Sequence, residues 1–142
     1  MAKLYFHYSS MNAGKSTALL QANHNYIERG MHPVLYTAKL DDREGEGKIR
    51  SRIGIKQEAE TFAEDDDLYR VVKAMNKERR VDCLLIDEAQ FLSKEQVSQL
   101  GRLVDEESIP ILTYGIRTDF LGETFEGSRY LMAWADEIKE IK

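Results

Sequence analysis

The segment that most constrains the fold of this chain lies between a predicted strand and a predicted helix. Residues 3–8 (KLYFHY) are mostly apolar and aromatic and predict a first strand. Residues 16–29 carry apolar side chains at helical spacing, and Gly30 follows as a typical helix stop. The connection between them is SSMNAGKST, residues 9–17. A strand, a short turn of this composition and a helix, in that order, are typical of nucleotide-binding α/β folds.

The connecting turn matches a phosphate-binding loop. Gly14, Lys15 and Ser16 fit the end of the pattern G-x-x-x-x-G-K-[ST], whereas Ser9 stands where the first glycine is usual. Backbone N–H groups at a helix N-terminus attract phosphate, and glycine allows the backbone to approach it closely. The lysine adds a positive charge toward the β- and γ-phosphates, and the serine hydroxyl is a ligand for Mg²⁺. The residues expected at ATP in this loop are Ser9, Ser10, Met11, Asn12, Ala13, Gly14, Lys15, Ser16 and Thr17.

Beyond this loop, short apolar runs alternate with helical patterns. Strands are predicted at residues 34–38, 83–86 and 109–114, and the second of these is a continuous apolar run, as in a strand buried on both faces. Helical patterns follow the acidic residues 65–67 and the capping-box residue Ser93. The alternation predicts an α/β fold, a RecA-like P-loop NTPase core with a mainly parallel β-sheet flanked by helices. We expect residues 1–142 to form a single domain.

The strand predicted at residues 83–86 ends in the acidic pair Asp87 and Glu88. A P-loop fold places its metal-binding aspartate at such a strand end, so we expect Asp87 to hold Mg²⁺ together with Ser16. Glu88 is expected to point elsewhere and to act as a general base or to orient a water. Ala89 and Gln90 complete the segment expected near ATP. The alternative is a solvated acidic pair, which the phosphate loop makes the weaker interpretation.

A second charged motif follows the second predicted strand. Asp41 and Arg43 lie in a polar stretch, residues 39–52, that predicts a loop. Because the carboxyl edge of the sheet also carries the phosphate loop, an arginine there can neutralise charge on a transferring phosphoryl group. The alternative role for this arginine is a solvated ion pair.

An apolar motif follows the strand predicted at residues 109–114. It ends in Phe120, which either fills the core beneath a loop or faces a ligand. With Met11 in the phosphate loop and Phe91 after the acidic pair, this phenylalanine would form an apolar pocket for a flat ring.

Composition excludes several other classes of protein. The chain has 142 residues, 20 basic and 25 acidic side chains and a net charge of −5. An acidic total disfavours a sequence-nonspecific nucleic-acid binder, although a small anionic ligand needs only a local positive site. The single cysteine excludes a disulfide scaffold, and no apolar run approaches the roughly 20 residues that cross a bilayer. We therefore expect a cytoplasmic protein with no nucleic-acid or membrane partner.

Four segments, SSMNAGKST, DDR, DEAQF and YGIRTDF, together resemble in order and spacing the thymidine kinases that carry a zinc ribbon, and the bacterial members most of all. The likeness runs from Leu4 to Trp134. It implies ATP-dependent phosphorylation of the 5′-hydroxyl of thymidine in nucleotide salvage, with ATP and Mg²⁺ as cofactors. It also implies a homotetramer regulated by thymidine triphosphate.

The resemblance implies roles for individual residues. Glu88 would be the general base. Lys15 and Arg43 would stabilise the transferring phosphoryl group, and Ser16 and Asp87 would hold Mg²⁺. The residues expected at the thymidine are Met11, Asp41, Phe91, Ile116 and Phe120.

One part of the family pattern is expected to be absent. In the family, a segment like residues 137–142 continues into Cys-x-x-Cys zinc ligands and a lasso loop that hydrogen-bonds the thymine. Here no cysteine follows Cys83, and His7, His24 and His32 lack ligand spacing, so we expect no zinc ligands in this chain. Two alternatives stay open: a helicase-like ATPase that depends on nucleic acid, because DEAQ resembles a helicase motif, and a non-catalytic ATP-binding core.

Overall fold

The computed structural model describes residues 1–9, 14–39, 48–50, 56–119 and 122–141. Within these parts of the chain, helices and strands follow one another much as predicted, except that four described strands come in succession between the first and second helices. The elements are β1 Leu4–Ser9, α1 Lys15–Glu28, β2 Pro33–Ala38, β3 Lys48–Arg50, β4 Lys56–Glu58, β5 Glu60–Phe62, α2 Leu68–Glu78, β6 Cys83–Ile86, a 3-10 helix Ala89–Phe91, α3 Lys94–Glu107, β7 Ile111–Ile116, α4 Glu126–Trp134 and β8 Glu137–Glu140.

The described strands form one main sheet and one small pair. The main sheet has six strands in the order β5-β2-β6-β7-β1-β8, and its pairings are all parallel. β3 and β4 pair antiparallel outside it. The predicted α/β class is confirmed. Because β7 lies between β1 and β6, the strand that leads into the phosphate loop and the strand that ends in the acidic pair are not neighbours.

The sheet buries both of its faces, as parallel sheets do. In β6, Leu84 and Ile86 pack into the apolar cluster on one face, and Cys83 and Leu85 pack into the cluster on the other. All four side chains are fully buried. Burial of a leucine or isoleucine stabilises the fold by roughly 1.5–3 kcal/mol, so this short strand fixes the middle of the sheet and, with it, the place of the residues that follow.

Local sequence rules account for the helix ends. Asp67 caps α2 by accepting a hydrogen bond from the Arg70 N–H at 3.1 Å. Ser93 and Gln96 form the predicted capping box at the start of α3. Gly30 follows α1 with φ 75°, a left-handed conformation that glycine adopts without strain.

Several predicted boundaries were wrong or incomplete. The loop predicted at residues 39–52 is interrupted by β3, and much of its remainder lies outside the described residues. β7 begins two residues later than the strand predicted at residues 109–114. β4, β5, α4 and β8 were not predicted. Strands of three or four residues show too little alternation, and the first turn of α4 contains the weak helix formers Gly127 and Ser128.

In the part of the chain that the structure describes, no helix combines the length and the apolar character needed to cross a membrane.

Candidate functional site

The centre of the candidate site is a buried lysine held by two carboxylates. Lys15 is the first residue of α1, and its side chain is 1% exposed. Its Nζ donates to Oδ1 of Asp87 and to Oε1 of Glu88, both at 2.8 Å. The phosphate-loop lysine and the acidic pair therefore meet, although a strand separates the elements that carry them.

The backbone at Glu88 explains how neighbouring carboxylates reach one ammonium group. In an extended strand successive side chains point to opposite faces, which is why Glu88 was expected to point away from Asp87. That expectation was wrong. Glu88 has φ 54°, a left-handed conformation that is uncommon for a residue with a side chain. This turn ends the strand and brings the glutamate side chain to the same lysine.

Burial and charge act against each other in this cluster. Burial acts to lower the pKa of Lys15, but the charges of Asp87 and Glu88 outweigh it, so the pKa lies above its ordinary value. Burial, aided by the charge of Asp87, raises the pKa of Glu88 against the opposing effect of Lys15. The ammonium group is thus held in its charged form between two acids.

A hydroxyl group completes the cluster next to the helix N-terminus. Ser16 Oγ donates to Oδ2 of Asp87 at 3.0 Å. Gly14, the N-cap residue, has φ 75° and no side chain that could cover the first N–H groups of α1. A hydroxyl and a carboxylate oxygen side by side are hard oxygen donors of the kind Mg²⁺ prefers, usually with waters and phosphates as the remaining ligands. The residues present therefore fit a magnesium ion that is bound together with a nucleotide.

In the described ranges, no three His, Cys, Asp or Glu side chains are grouped so that they could hold a metal ion.

The thiol of Cys83 is buried, and burial raises its pKa to about 12.

Gln90 occupies a place that the sequence did not reveal. Its side chain, 3% exposed, bridges two elements of the site, and its expected place near ATP stays a prediction. Its Nε2 donates to Oε2 of Glu88, and its Oε1 accepts from the backbone N–H of Ile116 at 3.3 Å. The amide thus joins the acidic pair to the end of β7. Ala89, also expected near ATP, is fully buried.

An apolar cavity opens beside the residues that follow the acidic pair. Phe91 is 37% exposed and meets the ring of Phe125 edge-on, with centroids 5.8 Å apart. Both rings line a cavity of about 210 Å³. Phe62 lines the cavity as well, and sequence reasoning missed both Phe62 and Phe125. Phe125 directly precedes α4, so a correct prediction of that helix would have pointed to it.

Several expected site residues can now be placed. Ser9 is buried at the carboxyl end of β1, and Thr17 is half-buried in the first turn of α1. Ile116 is half-buried at the end of β7, beside Gln90. The expected site residues that lie outside the described part of the chain are Ser10, Met11, Asn12, Ala13, Asp41, Arg43 and Phe120.

A parallel sheet, a phosphate-loop lysine opening the first helix and an Asp-Glu pair at a buried strand end define a P-loop nucleotide-binding domain. Comparison with known protein families shows which kind of nucleotide-binding domain this is. Residues 2–142 match the thymidine kinase family, and the chain belongs to that family. The resemblance found in the four sequence motifs is thereby confirmed.

Individual relatives agree with the family match. The chain is 59% identical to a thymidine kinase of Vibrio vulnificus, 56% to one of Photobacterium profundum and 55% to one of Aliivibrio fischeri. In each case the whole chain is matched and covers 74% of the relative's length. Among solved structures, a DNA replication initiation factor aligns with the whole of this chain. The alignment covers 40% of that structure's own chain, with a TM-score of 0.53 and 18% sequence identity. That likeness concerns the fold alone.

Proposed function

We propose that the chain transfers the γ-phosphoryl group of ATP to the 5′-hydroxyl of thymidine. Membership of the thymidine kinase family supports the reaction. The observation that carries its assignment to this site is the buried contact of Lys15 with both Asp87 and Glu88. This contact places two kinds of group in one cluster at the carboxyl edge of the sheet. The lysine ammonium group can bind phosphate, and the glutamate carboxylate can accept a proton.

In the proposed step Glu88 is the general base. Its carboxylate accepts the proton of the 5′-hydroxyl while that oxygen forms a bond to the γ-phosphorus. The bond between the γ-phosphorus and the bridging oxygen breaks, and ADP leaves with the electron pair. The products are thymidine monophosphate and ADP, so atoms and charges balance without a further reactant.

Electrostatic partners for the transferring group are proposed as well. Lys15 turns its ammonium group from the carboxylates toward the β- and γ-phosphates, and Arg43 adds a second cation at the transferring group. Ser16 and Asp87 hold Mg²⁺. When bound, the ion neutralises phosphate charge. The N–H groups of the loop at residues 9–17 bind the phosphates, aided by the N-terminus of α1.

The thymine ring is proposed to occupy an apolar pocket at the same edge. Phe91 is the exposed aromatic ring nearest the acidic pair in sequence, and its contact with Phe125 gives it a fixed orientation. The proposed lining residues are Met11, Asp41, Phe91, Ile116 and Phe120. By family resemblance we also propose a cytoplasmic homotetramer that thymidine triphosphate regulates.

The experiment that tests the function measures ADP formation by this chain with ATP, Mg²⁺ and thymidine. We expect turnover that requires thymidine and yields its 5′-monophosphate. Glu88→Gln removes the base but keeps the size of the side chain, so it should lose about 10²–10⁴-fold in kcat while still binding ATP in calorimetry.

Three outcomes would contradict the proposal. Unchanged turnover in Glu88→Gln removes the role of that carboxylate as base. ATP hydrolysis that single-stranded DNA stimulates and thymidine does not affect indicates a nucleic-acid-dependent ATPase. ATP binding with no phosphoryl transfer by the wild-type chain indicates a binding module.

A further inference from the structure

We propose that Gln90 is a positioning residue that sets the orientation of the Glu88 carboxylate for proton transfer. The inference rests on the proposed function, because it assumes that Glu88 is the base. It goes beyond that function by giving the amide of Gln90 a role through a neighbouring side chain, with no requirement that it contact ATP.

The first observation is that the carboxylate of Glu88 is held at both oxygens by different elements. Oε1 accepts from Lys15 of α1 at 2.8 Å, and Oε2 accepts from the amide of Gln90. When Lys15 turns toward a triphosphate, its contact with Oε1 weakens, while the contact with Gln90 is within the same turn and does not depend on α1. Gln90 is therefore a partner that can keep the carboxylate in place during the reaction.

The second observation is that Gln90 is itself fixed from the other side. Its Oε1 accepts from the N–H of Ile116. A Cβ atom on Gly115 would lie 2.8 Å from that same Oε1 and 3.0 Å from the backbone nitrogen of Gln90. Glycine at position 115 thus leaves room for the Gln90 amide to lie directly against β7.

The third observation is that the turn is also held from the helix side. A Cβ atom on Gly127 would lie 2.3 Å from the carbonyl oxygen of Ala89 and 2.9 Å from that of Gln90. The next residue, Ser128, donates its hydroxyl to the carbonyl of Ile116. α4 and β7 are thus joined to each other and pressed against the turn that carries Gln90.

The need for such support follows from the conformation of Glu88. A left-handed backbone in a residue with a side chain is strained and persists only where its surroundings fix it. A general base must be placed to within roughly 0.5 Å of its productive position. The fully buried amide meets this need because it can donate to the carboxylate and accept from Ile116 at once.

The test replaces the amide by groups of similar length that cannot donate. Gln90→Met should lower kcat by about 10–100-fold, by analogy with the loss typical when a hydrogen bond that orients a metal ligand is removed, with KM for ATP and thymidine changed less than about threefold. Gln90→Glu keeps the shape but places an acceptor against Glu88, so it should lose at least as much.

The chain offers a matched control in Gln96, another buried glutamine. Its side chain is 1% exposed, and its Nε2 donates to the carbonyls of Ala63 and Asp66 at 2.7 and 3.1 Å. Gln96→Met makes the same chemical change in the helix cap. It should lower the melting temperature and leave kcat per folded molecule within about twofold of wild type, with folded protein quantified by circular dichroism.

A double-mutant cycle with Glu88→Gln separates positioning from a general structural role. If Gln90 acts through the carboxylate, Gln90→Met should lower kcat in the wild-type background and by less than about twofold in the Glu88→Gln background. Equal fold losses in both backgrounds would overturn the inference. So would a Gln90→Met enzyme with wild-type kcat. Failure of the proposed function would give a different result from these two outcomes. In that case the wild-type chain would show no thymidine-dependent turnover, or Glu88→Gln would keep full activity.

Discussion

Two adjacent segments bury polar side chains in opposite ways. We call residues 87–91 the acidic turn and residues 93–96 the cap of α3. In the cap, Ser93 and Gln96 have neutral side chains and begin an ordinary helix. Gln96 Oε1 accepts from the Ser93 N–H at 3.0 Å, and Ser93 Oγ accepts from the Gln96 N–H at 3.1 Å. In the acidic turn, Asp87 and Glu88 are buried beside a lysine, and Glu88 has a left-handed backbone.

The difference separates stability from function. A capping box removes the unmet hydrogen bonds of a helix start and stabilises the fold with no strained residue. A buried ion pair contributes little net stability because desolvation opposes the attraction of the charges. The acidic turn therefore holds groups that the fold alone does not require. Changes in the turn should mainly affect turnover, and changes in the cap should mainly affect unfolding.

The largest expected effect comes from Lys15→Met. This change leaves Asp87 and Glu88 buried side by side without their cation, which typically destabilises by about 3–5 kcal/mol. It also removes a charge that stabilises the transferring group, so kcat should fall by at least about 10²-fold. Thermal unfolding and the ADP assay measure the two losses.

Lys15→Met has a control in Glu88→Gln, which keeps a carboxylate beside the lysine and should unfold close to wild type. An equally stable Lys15→Met protein would show that the buried cation is not what keeps the acidic pair in place.

The next effect concerns the close packing of α4 against the acidic turn. A Cβ at Gly127 would overlap backbone oxygens of the turn, so Gly127→Ala should destabilise by about 1–3 kcal/mol or more and lower kcat. Gly101 lies within α3, and a Cβ there meets nothing within 4 Å. Gly101→Ala should therefore stabilise by about 0.5–1 kcal/mol and leave kcat unchanged. Urea unfolding compares the pair, and equal effects of the two changes would contradict the account.

A smaller effect is expected on the cap side of the comparison. Ser93→Ala removes the side-chain oxygen that accepts from the Gln96 N–H and should destabilise by about 1 kcal/mol. The kcat of the folded fraction should stay at the wild-type value, because the charged cluster of Lys15, Asp87 and Glu88 lies outside the cap. A drop in kcat similar to that of Gln90→Met would show that cap and turn act as one unit.

The smallest expected effect concerns the other end of β6. Cys83 begins the strand that ends before the acidic pair, and burial raises the pKa of its thiol to about 12. Since the thiolate is the reactive form, iodoacetamide at pH 8 should leave the native protein unmodified and alkylate the same residue in urea. Mass spectrometry reads out both states. Rapid labelling of the native protein would mean that the strand opens readily.

The sequence predicted those parts of the fold whose physical cause is local. Residues 83–86 form a strand buried on both faces because their side chains are all apolar, and the capping box follows from Ser93 and Gln96 three positions apart. The phosphate loop indicated a site at Lys15 because its spacing reflects phosphate chemistry. These inferences needed no knowledge of distant neighbours.

What the sequence did not predict depends on contacts between distant segments. The return of Glu88 to Lys15 results from a left-handed residue, which no local pattern marks when that residue is a glutamate. The role of Gln90 depends on Gly115 and Gly127, which follow it by 25 and 37 positions in the chain. The strand β8 is mostly polar and exposed, so the hydropathy of its sequence does not indicate that it pairs with β1.

The position of β7 between β1 and β6 has a mechanical consequence. Neighbouring strands are about 4.8 Å apart, so the lysine at the start of α1 crosses over the end of an intervening strand to reach the acids beyond it. The Lys15 side chain therefore connects the start of α1 to the end of β6 across β7, in addition to the backbone hydrogen bonds that join β6 to β7 and β7 to β1.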